Sequence, residues 1–175
     1  MSAIAYMTNP EESRREPVTF ATARGLRLAG HLYRARGGKA GDANPGVVMA
    51  GPMTSVKEQT LPHYAGALQD SGYTVLTFGN RNFRESDGEP RAHLDTYEQV
   101  EDLKNAVRYV LTRGDVDPQR IGLFCVCLGA GYGLEVAAMD HRVTAAGSPS
   151  FRVASDGANT FPGATMRFGM MPVGP

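Results

Sequence analysis

The stretch that decides the fold is Arg120-Ile121-Gly122-Leu123-Phe124-Cys125-Val126-Cys127-Leu128-Gly129-Ala130-Gly131. Its first half is a short apolar run, the pattern of a strand buried on both faces. From Gly129 to Met139 the text reads as a helix. Between them, Cys125 and Gly129 are small residues two before and two after Cys127, which lets strand and helix approach closely enough for a sharp elbow with Cys127 at its tip. Gly131 extends the small-residue side of the same turn. The N-terminus of the following helix aims N–H groups and a positive dipole end at the sulfur, which favours thiolate over thiol. The competing reading is that Cys127 merely closes a buried strand as a small apolar residue, the usual fate of a free cysteine.

Working outward, strands alternate with helices, the signature of a mostly parallel sheet covered by helices on both faces. Residues 18–21 and 26–33 form an expected antiparallel hairpin at the N-terminal edge, joined through Arg24-Gly25. Strands follow at 46–51, 73–78 and 120–127, and another begins at Arg142. Helices are expected at 57–70 and from Asp95-Thr96 onward, the latter with a Thr96/Gln99 capping box and a stripe of Tyr97, Val100, Leu103, Val107 and Val110. The polar loop 79–94 fits neither period. Domain boundaries are read as a flexible N-terminus at 1–16, one incomplete domain at 17–146 lacking its last strands, and an irregular tail at 147–175.

Composition narrows the function classes. Lys plus Arg equals Asp plus Glu at 18 each over 175 residues, so no net field points to nucleic acid or a membrane surface. No apolar run approaches the roughly 20 residues that cross a bilayer, and the chain is expected to be soluble and cytoplasmic. Two cysteines at this spacing form neither an unstrained disulfide nor a zinc site, so no metal is expected. A small-molecule ligand is the default.

An elbow of this kind stabilises an oxyanion with the N–H of the residue after the nucleophile and with one from the loop after the third strand. These are Leu128 and, because Pro52 has no N–H, Met53. Four blocks, in order, carry a resemblance: Gly51-Pro52-Met53-Thr54-Ser55-Val56-Lys57-Glu58-Gln59-Thr60, Glu85-Ser86-Asp87-Gly88-Glu89-Pro90-Arg91, Val116-Asp117-Pro118-Gln119-Arg120-Ile121-Gly122 and Cys127-Leu128-Gly129-Ala130-Gly131-Tyr132. Over about 17–146 the chain resembles the dienelactone-hydrolase-like branch of the α/β-hydrolases. The resemblance implies the α/β-hydrolase fold, a nucleophile at Cys127, and cleavage of an ester, lactone or related acyl substrate without a cofactor. It also implies an aspartate and then a histidine after the nucleophile. Three positions depart from the pattern: Gly51 replaces a usual histidine, Gly79 an aspartate and Arg84 a glycine.

Downstream of Cys127 there are only His141 and the aspartates Asp140 and Asp156. His141 falls at the far end of the helix that starts at the elbow, and His31, His63 and His93 precede the nucleophile in positions that fit no triad slot. Three functions stay open: a hydrolase acting through Cys127, an inactive truncated fragment or pseudoenzyme, and a module that binds an acyl ligand without chemistry. A fragment would leave an open apolar sheet edge, which invites self-association.

Overall fold

The computed structural model describes residues 15–37, 43–52, 57–149 and the backbone of 171–172. Seven strands form one sheet in the order β1-β2-β4-β3-β5-β6-β7. They are β1 (Glu16–Ala21), β2 (Arg27–Tyr33), β3 (Asn44–Ala50), β4 (Thr74–Phe78), β5 (Val116–Cys125), β6 (Ala145–Gly147) and β7 (Met171–Pro172). The helices are α1 (Leu61–Asp70), α2 (Thr96–Leu111) and α3 (Gly129–Met139). β1, β2 and β4 run antiparallel in succession, and β4, β3, β5 and β6 are parallel. This is the α/β-hydrolase arrangement, with the expected hairpin at its N-terminal edge.

Strand order explains the helix layers. The chain steps from β3 to β4 in one direction and from β4 past β3 to β5 in the other. Because such crossovers are right-handed, α1 falls on one face and α2 and α3 on the opposite one. On the α1 face Tyr33, Val47, Met49, Leu61, Ala65, Val75 and Val126 pack together. On the other, Leu32, Val48, Leu76 and Leu123 meet Val100, Leu103, Val107 and Val110 of α2 and Val136 of α3. The direction reverses between β3 and β5, and ligand sites of open α/β sheets lie beyond the carboxyl ends of strands at such a point.

Several boundaries differ from the sequence reading. α1 starts at Leu61 rather than near residue 57, because Pro62 is tolerated only in a first helical turn. The cap of α2 is Asp95, whose side chain accepts from the Glu98 N–H at 3.0 Å, not Thr96 with Gln99. The apolar stripe of α2 holds from Val100, while Tyr97 in the first turn is 81% exposed. β5 begins at Val116 rather than at Arg120 and so includes Asp117-Pro118. Its register against β3 shifts between the Asn44–Val116 and Gly46–Ile121 pairs, so Pro118 sits in a bulge where a missing N–H breaks no ladder bond. β6 starts only at Ala145, since Arg142 instead turns back to pair with Asp140 through its side chain and its N–H.

The β6 edge, expected to be open, pairs antiparallel with Met171–Pro172 at Ala145 and Ala146. The expectation for 1–16 lies outside the described residues except at its end, where Glu16 opens β1. That for 147–175 can be followed only at 147–149 and 171–172. No helix among the described residues is long and apolar enough to cross a membrane.

Candidate active site

β5 ends at Cys125, α3 begins at Gly129, and between them Cys127 holds φ at +58°. For a non-glycine residue the left-handed region costs roughly 1–2 kcal/mol, and strain of this kind collects at functional sites. The turn also breaks strand alternation. Two residues apart on a strand, the thiols would share a face. Instead Cys125 belongs to the core on the α2–α3 side, while Cys127 packs against the α1-side cluster and is only partly buried.

Glycines make this geometry possible. A Cβ on Gly129 would lie 2.5 Å from the Gly51 oxygen and 2.7 Å from that of Ala50, both backbone atoms. The start of α3 therefore presses on the carboxyl end of β3, where Val126 N–H also donates to the Ala50 oxygen at 2.9 Å. Gly133, one helical turn further on, is a position the sequence reading passed over. Its Cβ would stand 2.6 Å from the Cys125 sulfur. The spacing of four from Gly129 puts both glycines on one side of the helix and was the available signal. Gly131 donates its N–H to the Leu128 oxygen at 3.0 Å, within the first turn.

The two thiols differ in burial, Cys127 being partly exposed and Cys125 not. Cys125 is 2% exposed, and burial pushes its pKa up to about 12. Leu128 is the residue between Cys127 and α3, so its N–H belongs to the turn that carries the sulfur. Met53 lies outside the described residues; the Gly51 carbonyl lies against Gly129 at the elbow.

The fold holds His31 and His141 away from Cys127. β2, which carries His31, is separated from β5 by β4 and β3, three spacings or about 14 Å. His31 is held neutral down to about 4 by burial, with Arg15 and Lys57 adding to the effect. Its Nδ1 and the neighbouring Thr77 hydroxyl are buried without partners. His141 follows the full length of α3, about 16 Å of helix from the elbow. His63 and His93 are exposed, on α1 and in the loop before α2. Among the described residues no cluster of His, Cys, Asp or Glu is arranged to hold a metal.

The loop 79–94, at the same sheet edge, is held by polar contacts that its irregular sequence did not disclose. Arg81 is 2% exposed and donates through its backbone N–H and guanidinium to both oxygens of Asp102 on α2, at 2.6–2.9 Å. Burial raises the Asp102 carboxyl and the Arg81 bonds oppose that rise. Arg81 itself is held well above its usual value by Asp102 and Glu101, against its burial. The Ser86 hydroxyl donates to the Gly79 oxygen at 2.7 Å and accepts from Ala29 N–H at 3.0 Å. Arg91 donates to the carbonyls of Arg84, Ser86 and Gly88. Lys57 is buried and its ammonium lies 2.6 Å from Glu85, whose carboxyl it holds below the usual range.

No protein-family model matches the chain. It is 38% identical over 134 residues to thiohydrolase aneE of Aspergillus aculeatus, covering 76% of this chain and 40% of that protein. It is 37% identical over 127 residues to polyketide transferase claH of Penicillium crustosum, covering 73% and 41%. The crystal structure of α/β-hydrolase GrgF from Penicillium superposes with a TM-score of 0.71 at 34% identity, over 77% of this chain and 45% of that one. The chain thus spans less than half the length of these proteins. Its sheet order, crossovers and strained turn are those of the α/β-hydrolase fold, and the relatives and structural neighbours it resembles are α/β-hydrolase-fold proteins.

Proposed function

We propose that the domain at 17–146 performs acyl transfer through Cys127, on an ester, lactone or thioester of a small molecule. The Cys127 sulfur attacks the acyl carbon while Leu128 and Met53 N–H groups hold the oxyanion. Collapse of the adduct breaks the bond to the leaving oxygen or sulfur, which takes up a proton, and leaves an acyl-enzyme. Water then forms a bond to the acyl carbon, breaks the thioester and returns the thiol. The observation that carries this reading is the positive φ of Cys127 between the end of β5 and the start of α3. A residue that only closed a strand would have no reason to bear that strain. The printed names of the relatives, a thiohydrolase and a polyketide transferase, support acyl chemistry, and the thioester is added to the substrate class on that ground.

The placement of the histidines shapes the kinetics. With His31 and His141 remote from the sulfur, the second half of the cycle is the slow one, because the attacking water must lose a proton. The chain should acylate once and release slowly. A stopped-flow burst of p-nitrophenolate from p-nitrophenyl butyrate, stoichiometric with protein and absent in Cys127→Ala, is the expected result. No burst, or one that survives the substitution, refutes the proposal. The histidine placement equally favours a second reading, in which the site binds an acyl ligand without turnover. Equal binding of a non-hydrolysable acyl ether to wild type and Cys127→Ala, with no burst, would select it.

A further inference from the structure

We propose that a groove on the α1 face, beside β5 and β6, is a second ligand site, for a carboxylate with a medium-length hydrocarbon tail. It is separate from the elbow and does not depend on the chemistry of Cys127.

The groove has a volume of about 250 Å³, with Leu68 and Tyr73 along the α1 side and Phe124 and Arg120 on β5. It is open because no helix covers it. α1 packs over β4 and β2, and α2 and α3 lie on the opposite face, so among the described residues the β5–β6 end of the α1 face is bare. The strands add little bulk of their own there. Phe124 packs with the α1-side cluster, and Gly122, two residues before it, shares its face. Ala145 and Gly147 pair with Gly122 and Phe124 in parallel register and so lie on that face too.

Its lining fits one ligand chemistry. The walls suit a hydrocarbon, and the volume falls just below the roughly 300–1,000 Å³ of sites for drug-sized molecules, so the ligand is a smaller one. Arg120 and Phe124 stand about 13 Å apart along the strand, which suits an extended chain such as decanoate. Arg120 is exposed, and among the described residues no carboxylate pairs with it. A guanidinium is a favoured partner of a carboxylate. The nearby Thr144 hydroxyl already donates to the Ile121 oxygen at 3.0 Å. Arg120 is therefore the side chain that can take an anionic head group at that end.

Gly122 makes the test clean. A Cβ there would meet nothing closer than the Ala145 oxygen at 3.7 Å, and its φ is not positive, so a larger side chain fits the strand and fills the groove. Calorimetric titration of the full chain with sodium decanoate should give a Kd of about 1 mM or below. Gly122→Leu should weaken binding at least about tenfold, and Arg120→Gln about three- to tenfold. Each methylene removed from the ligand should weaken it about fourfold. Cys127→Ala should bind as wild type does. No saturable binding below about 10 mM, binding that survives Gly122→Leu, or binding lost in Cys127→Ala overturns the proposal. A heat of dilution of the protein alone that disappears in Gly122→Leu would assign the groove to a second copy of the chain and overturn it as well. Should Gly122→Leu fail to fold, the exposed Arg120→Gln decides: affinity equal to wild type refutes the site.

Discussion

Replacing Gly129 with alanine tests the elbow directly, because the added carbon meets main chain and nothing else. Its three near neighbours would be the Gly51 oxygen at 2.5 Å, the Ala50 oxygen at 2.7 Å and the Ala50 carbonyl carbon at 2.9 Å. A flexible side chain could swing aside; these atoms cannot. Ala50 pairs with Cys125 in the sheet and accepts the Val126 N–H bond, so either the end of β3 or the start of α3 must move. Overpacking of this kind costs about 1–3 kcal/mol. Alanine gains up to about 1 kcal/mol over glycine in a helix interior, less at the first helical position. The net expectation is a loss of about 1–2 kcal/mol in urea unfolding. Because the displaced atoms lie against the turn that carries Cys127, the acylation burst should slow about 100-fold. Gly133→Ala is the control: its Cβ meets the Cys125 side chain, so Cys125→Ala should rescue Gly133→Ala and leave Gly129→Ala unrescued. A Gly129→Ala protein as stable and as fast as wild type would refute the claim that strand and helix are in contact there.

Three further outcomes follow from particular residues. Arg84 holds φ at +48° in an exposed position, so Arg84→Gly should stabilise by about 0.5–1 kcal/mol, the relief of left-handed strain less the entropy of glycine; equilibrium unfolding checks it. Cys125 loses its proton near 9 when unfolded and at about 12 when folded. The unfolded chain therefore binds fewer protons across that window, and stability should fall as pH rises from 9 toward 12, at up to about 1.3 kcal/mol per pH unit; in Cys125→Ala this component should vanish. Asp102→Ala leaves the Arg81 guanidinium buried with only the more exposed Glu98 and Glu101, and should cost about 3 kcal/mol in unfolding, the low end for breaking a buried pair.

Much of this architecture was legible because it rests on periodicity. The buried strands are continuous apolar runs, and the elbow is a spacing of small residues around Cys127. Legibility failed where long-range contacts decide. Asp117-Pro118 reads as a turn until β3 is present to pair with a bulge. Thr96/Gln99 matches a cap pattern as well as Asp95/Glu98 does, and only the backbone selects between them. The burial of Lys57, Arg81 and Ser86 was not legible, since it arises from partners 21 to 57 residues away in sequence. The usual glycine at position 84 did carry a signal: the backbone there is left-handed, and arginine bears it under strain.

The central claim is that Cys127, and not Cys125, carries the acyl group. Peptide mapping by mass spectrometry after brief exposure to an excess of p-nitrophenyl butyrate at pH 8 measures this directly. The expected result is one butyryl group per chain, on Cys127, lost in Cys127→Ala. With Cys125 pushed up to about 12, only about one in ten thousand of its thiols is ionised at pH 8, so it should remain unmodified. An unmodified Cys127, or a butyryl group on Cys125, would contradict the account.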